Sequence, residues 1–393
     1  MKKIIAIFVF AAALSGVHGQ TNLPARSLSL QDCIEEALRH NFDVEVARYT
    51  PQIDLYNLYA TYGGYDPTLS LSGDYTYSST PGSLTQNQLQ YPASVANANS
   101  FVGGLQGLLP WGLQYDLSGN ISDSYGTTST SISTNIFTSP FNTANGQIGI
   151  TLTQPLLKNF WIDSTRLQIT AAKYNLKYSE QGLRAQLITS ISAIETAYYE
   201  LIYARENLQV QQEALTLAQT QLDQDRQRMQ IGTLAQLSVE QDESQAAQNN
   251  ANVITAEFTL ASDENTLKNL ITDDYQKWHD VRVTPSETLE ASKQFYDLQD
   301  SWNKGMTLRP DLLQAQITLQ QQGIQLKFDR NQIYPQLNLT GSYGYNGAGT
   351  EYNDVFAQFR DQSSPFYSYG AEMTIPLANQ SARNTLKSDK VTE

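Results

Sequence analysis

The chain has 393 residues and a formal net charge of −14, which leaves room for more than one structural unit and argues against a nucleic-acid-binding role. Its single cysteine, Cys33, excludes an internal disulfide framework, and no small-residue lipobox precedes it, so it reads as a core residue rather than a lipid anchor. The histidines, His18, His40 and His279, have no metal-ligand spacing, and there is no Gly-x-Ser-x-Gly elbow, phosphate loop or calcium loop, so neither an enzyme nor a cofactor is expected.

Lys2 and Lys3 precede an apolar run from Ile4 to Leu14, followed by small residues at Ser15, Gly16 and Gly19, the layout of a signal peptide over residues 1–19. That run is far below the ~20 apolar residues a helix needs to cross a bilayer. No later stretch approaches that length, so any membrane crossing has to be made by a β-barrel. From Pro67 to Tyr77, Leu69, Leu71, Gly73, Tyr75 and Tyr77 alternate with Thr68, Ser70, Ser72, Asp74 and Thr76. The same period of two runs from Leu109 to Ile121, with Trp111 and Tyr115 as interfacial anchors. Strands of about ten residues with this alternation carry the signature of a transmembrane β-barrel. The Ser-, Thr-, Asn- and Gln-rich stretches Ser79–Ser100 and Ser124–Asn145 are expected as polar loops in water.

Leu187, Ile194, Leu201, Leu208, Leu215, Leu222 and Met229 lie seven apart, with Ala197, Ala204 and Ala218 as a second row. No proline interrupts Asp163 to Ile231, which predicts a helix of roughly 100 Å at 1.5 Å per residue. Val239, Ala246, Val253, Leu260 and Leu267 form the next row, so the two helices are expected to fold back as an antiparallel coiled-coil hairpin about Gly232. At that tip, Gly232 suits a positive φ and Arg228 suits the negative end of the helix. Pro310 and Asp311 open a later helix, and Pro67, Pro155, Pro335 and Pro376 are expected at joints between helix and strand.

An internal repeat organises these elements. At a constant offset of 268 residues, Asp43, Ala47, Leu58, Pro67, Leu69, Leu71, Gly73, Tyr75 and Tyr77 recur as Asp311, Ala315, Leu326, Pro335, Leu337, Leu339, Gly341, Tyr343 and Tyr345. After a loop of different length, Gly149, Thr153, Pro155 and Leu156 match Gly370, Thr374, Pro376 and Leu377. Each repeat reads helix, proline, strand, loop, strand, proline, helix. The expected organisation is a signal peptide over 1–19, a first repeat over 20–289, and a second over 290–393 cut short after its strands. Only 17 residues follow Pro376, so the second long hairpin is missing and the chain is expected to be a fragment of a longer one. The fold class is mixed α and β. The repeats give four strands, or six if the turn at Pro110 to Gly112 joins an extra hairpin. A membrane sheet cannot leave edges open to lipid, so several chains are expected to share one barrel.

The segments Leu28-Ser29-Leu30-Gln31-Asp32-Cys33-Ile34, Gln154-Pro155-Leu156-Leu157, Leu308-Arg309-Pro310-Asp311-Leu312 and Tyr334-Pro335-Gln336-Leu337-Asn338-Leu339 together resemble the TolC-like outer-membrane efflux proteins. The resemblance implies a homotrimer in outer-membrane lipid, with a shared transmembrane barrel and a periplasmic helical tunnel. It further implies a periplasmic adaptor and an inner-membrane transporter as partners, with the tip residues Arg228, Gly232 and Leu234 in adaptor docking. The positions where the family often places polar latch residues hold Leu237 and Ser238 here, a departure from the family's pattern. The rival reading is an exported coiled-coil and β surface protein such as a trimeric adhesin. A stalk of that kind has no reason to repeat a helix-strand-strand-helix unit at a fixed offset.

Overall fold

The computed structural model describes residues 25–84, 90–132, 135–290 and 293–392, so the expected signal peptide lies outside the described residues. In chain order the elements are β1 (Ala25–Leu28), α1 (Leu30–His40), α2 (Phe42–Thr61), a 3-10 turn (Tyr62–Tyr65), β2 (Thr68–Thr80), β3 (Ser83–Leu84), β4 (Gln90–Tyr91), β5 (Ser94–Leu108), β6 (Gln114–Ile132) and β7 (Asn135–Pro155). They continue with α3 (Ser164–Gln230), α4 (Gln236–Ile271), α5 (Tyr275–Trp278), β8 (Arg282–Pro285), α6 (Leu298–Leu308), α7 (Pro310–Gln332), β9 (Gln336–Gly349), α8 (Tyr352–Asp361), β10 (Pro365–Thr374) and α9 (Gln380–Thr392). They form two compact units, one of Met1–Arg48 with Arg184–Leu298 and the other of Tyr49–Leu183 with Gln299–Glu393.

In the first unit, Ser29 and Asp32 form a reciprocal capping box that starts α1. Cys33 and Ala37, four apart on that helix, pack against Ile194, Tyr198 and Leu201 of α3, Leu267 and Ile271 of α4, and Leu28, Trp278 and Val283. Burying each large side chain here contributes about 1.5–3 kcal/mol. The Tyr198 hydroxyl donates to the Leu28 carbonyl at 3.1 Å, so the one polar atom of the fully buried ring is satisfied. β1 and β8 pair in parallel beside this core. Burial pushes the Cys33 thiol up to about 12, as suits an inert core cysteine.

Leu222, Val239 and Ala246 pack with Ala218, Met229 and Leu234. Arg226 bridges to Glu243 at 3.2 Å, and Asn249 Nδ2 donates to the Ala214 carbonyl at 3.1 Å, which fixes α3 and α4 as antiparallel neighbours. The two are unequal, 67 residues against 36. Their exposed surfaces are laced with amide bonds one turn apart, such as Gln209 to Glu213 at 3.0 Å and Gln245 to Asn249 at 3.0 Å.

The second unit holds a six-stranded sheet in the order β10-β9-β7-β6-β5-β2, antiparallel at every pairing. β5 and β6 are joined through Leu109–Leu113, where Leu109 N donates to the Leu113 carbonyl at 2.8 Å and Gly112 takes a φ of +90°. Beside the sheet, Leu58 of α2 packs on Ile169 and Ala172 of α3. Two sequence expectations are corrected here. The polar stretches expected as loops are largely strand, since β2 runs to Thr80, β5 begins at Ser94, and the β6–β7 ladder continues to Ile132↔Asn135. Polarity there marks two wetted faces rather than a lost ladder, because each arm satisfies the other's backbone. The loop expected between the strands of the second repeat contains the helix α8.

Candidate functional site

Two surfaces carry chemistry that a core does not need. One is the sheet. Its register places Leu69, Leu105, Leu117, Ile150, Tyr343 and Tyr367 in one row and Leu71, Ile148 and Tyr345 in the next, all on a single face. The opposite face carries Thr68, Gln106, Asp116, Thr151, Ser342 and Ser368. The apolar face is open, with Leu71 76 % and Tyr369 86 % exposed. A soluble sheet would cover such a face with a second layer. At the end of the sheet near the β5–β6 turn, Trp111 and Trp161 are also exposed.

The other surface is the tip of the hairpin. α3 ends in a Schellman pattern: Thr233 N donates to the Arg228 carbonyl at 2.9 Å and Gly232 N to the Met229 carbonyl at 2.9 Å, with Gly232 at φ +81°. The exposed Arg228 guanidinium reaches back to Asp225 at 3.1 Å. Leu234 does not project outward but joins the seam with Leu222 and Val239. The exposed apolar side chains at the tip are Ile231 and Leu237, which sequence reasoning did not single out as contacts. Just inside the tip, the buried Asp225 also accepts from Gln221 at 2.7 Å. Asp242 faces it from α4; desolvation, then the neighbouring Asp225 carboxyl, push its pKa above the ordinary range. No donor among the described residues reaches Asp242 Oδ2, which lies beside the Asp225 carboxyl.

Of the proline joints, Pro67 immediately precedes β2, Pro155 ends β7, Pro335 stands between α7 and β9, and Pro376 stands between β10 and α9. Among the described residues, no group of three or more His, Cys, Asp or Glu side chains could hold a metal ion, and no helix is long and apolar enough to cross a membrane.

An antiparallel sheet bare on its apolar side fits surroundings in which lipid, rather than a second protein layer, covers that face. Residues 112–272 match the family described as outer membrane efflux protein. Outer membrane protein TolC of Vibrio cholerae is 24 % identical over 241 residues, covering 58 % of this chain and 50 % of TolC. The chain thus spans about half the length of this curated relative. Among solved structures, CusC superposes with a TM-score of 0.61 at 18 % identity, covering 93 % of this chain and 70 % of CusC. The CmeC outer membrane channel of Campylobacter jejuni gives 0.57 at 16 %, covering 99 % and 74 %. VceC of Vibrio cholerae gives 0.56 at 16 %, covering 92 % and 72 %. At these identities the likeness is one of fold, and that fold is TolC-like.

Proposed function

We propose that this chain is a protomer of an outer-membrane exit duct, a passive conduit in a tripartite efflux or type I secretion system. The observation that carries the reading is the six-stranded sheet with one open apolar face and one polar face. The apolar face meets lipid, the polar face lines a wet lumen, and the coiled-coil hairpin extends the conduit into the periplasm. Three copies of a six-stranded sheet give a shared transmembrane barrel of eighteen strands. The matched positions of α2–β2 and α7–β9 support two structural repeats, over 20–289 and 290–393. The partners are a second and third copy of the chain, a periplasmic adaptor and an inner-membrane transporter. Arg228, Gly232 and Leu234 shape the adaptor-docking tip, and the exposed Ile231 and Leu237 add apolar contact there.

The test uses the full natural chain, expressed in a Gram-negative host, fractionated, purified and added to planar bilayers. Recovery in the outer membrane with stepwise conductance is expected. Recovery in a soluble periplasmic extract without conductance would overturn the reading and favour the exported surface protein.

A further inference from the structure

The apolar face of the sheet changes character along the strands. The row Phe101, Ile121, Gly146, Gly347 is followed by the row Tyr75, Asn99, Asp123, Ala144, Gly349. In that second row Asn99 Nδ2 donates to Asp123 Oδ1 at 2.8 Å. This is where a face suited to hydrocarbon becomes one suited to polar surroundings, and α8 lies against the sheet at this level.

The docking of α8 is built into the sequence. Val355, fully buried, sits over Gly146 and Gly347, where an added Cβ would come within 2.8 Å of its Cγ1 in both cases. At Gly349 a Cβ would collide with the Asp354 Cβ. Phe359 lies over the first two glycines as well, and the Tyr352 hydroxyl donates to Asp123 at 2.6 Å. β10 pairs with β9 only as far as Tyr345, which leaves the Ala348 edge groups without a strand partner. The Gln358 amide takes their place, donating to the Ala348 carbonyl and accepting from Ala348 N at 3.2 Å. This satisfies backbone groups at an edge where lipid could not. With its inner side so fixed, α8 turns Phe356 outward, 57 % exposed and in edge contact with Phe359.

We infer that α8 is an interfacial helix: it rides on the lipid-facing side of the sheet and seats Phe356 among outer-leaflet lipids at the boundary between acyl chains and headgroups. The occupant is lipid because the helix surface continues an apolar face that only lipid covers in the proposed duct. An aromatic amphipathic helix at a polar–apolar border is also the type of element that settles at this depth. The inference rests on the outer-membrane reading, and its test separates the two.

Nitroxide labels are placed singly at Phe356→Cys, Leu71→Cys and Thr138→Cys in the full natural chain carrying Cys33→Ser. The protein is reconstituted in phosphatidylcholine–phosphatidylglycerol vesicles, and collisions with oxygen and with a water-soluble nickel chelate are compared. Phe356 is the outward ring, so the label leaves Val355 and Phe359 on the glycines. The expected result is oxygen-dominated relaxation at position 71, nickel-dominated relaxation at 138, and at 356 a several-fold loss of nickel accessibility relative to 138 at a depth shallower than 71. Nickel accessibility at 356 equal to that at 138, with position 71 in lipid, overturns the inference and leaves the duct reading intact. Nickel-dominated relaxation at position 71 itself overturns the duct reading.

Discussion

Replacing Asp329 by Asn should slow the opening of the α7–α9 contact at neutral pH. Asp329 is 5 % exposed on α7, accepts from Gln325 Nε2 at 3.1 and 3.3 Å, and faces the Asp389 carboxyl of α9. Desolvation, then Asp389, lift its pKa from 3.8 to about 6. A raised carboxyl pKa means that folding favours the protonated form, so its contribution to stability is fully present below about pH 4 and is lost as the pH climbs through about 6. At neutral pH the ionised group therefore destabilises the contact by up to about 3 kcal/mol, at 1.36 kcal/mol per pKa unit. Asn keeps the shape and a hydrogen-bonding amide without the charge. The assay is amide hydrogen exchange in α7 and α9 of detergent-solubilised protein, parent and variant compared at the same pH. Protection should rise in Asp329→Asn, by on the order of a hundredfold at the upper limit, near pH 7.5. Near pH 3.5 the two should converge. Equal or faster exchange in the variant near pH 7.5, or a gain as large near pH 3.5, refutes the reasoning.

At the hairpin tip, Gly232→Ala meets no atom within 4 Å but must hold φ +81°, so faster exchange around residues 229–235 is expected, by about 1–2 kcal/mol of left-handed backbone cost. Gly232→Asn should lose less, because Asn tolerates that region. Arg228→Gln should weaken chemical cross-linking to the adaptor while leaving assembly of the copies unchanged. Gln is the cleaner variant, because Glu would set a third carboxylate beside Asp225 and Asp242. Cys33 should resist thiol reagents at pH 8 in the native protein and react on unfolding, measured as thiol titration with and without denaturant. Tyr198→Phe removes the donor to the buried Leu28 carbonyl and should cost about 1–3 kcal/mol, read as a lower denaturation midpoint.

Much of this architecture was legible because its signals are long or conformationally exclusive. The heptad rows run for many turns, and several of their residues, Ile194, Leu201, Leu222, Val239, Ala246 and Leu267 among them, are buried. Gly232 was readable because few residues other than glycine accept its φ. What escaped is short or non-local. β1 and β8 are four residues each and meet across most of the first unit's sequence, with nothing in either naming the other. α8 does carry a helical pattern, with Tyr352, Val355, Phe356 and Phe359 at i, i+3, i+4 and i+7, but ten residues among turn-forming neighbours read as loop. The acid pairs escaped for a different reason: Asp225, Asp242 and Asp329 look like ordinary helix-surface residues until tertiary packing turns them inward. Strand length was misread because Ser and Thr runs were assigned to loops, although β-branched Thr suits an extended, two-sided wet hairpin.

In the proposed duct, the sheet accounts for the need for more than one copy. Its edges are β2 and β10, of 13 and 10 residues, each long enough to cross a hydrocarbon core and each, among the described residues, bare of a further strand. Every pairing between them is antiparallel and there are six strands, so the two edges run in opposite directions. The β2 edge of one copy can therefore accept the β10 edge of the next in the same antiparallel sense, and a ring of copies closes without a parallel mismatch. An odd number of strands would force one such mismatch at each junction. In water the open apolar face would drive aggregation, and in lipid the open edges would each leave a row of unpaired amides costing several kcal/mol apiece. The closed ring of the proposed duct removes both penalties, and the even strand count makes that ring available to identical copies.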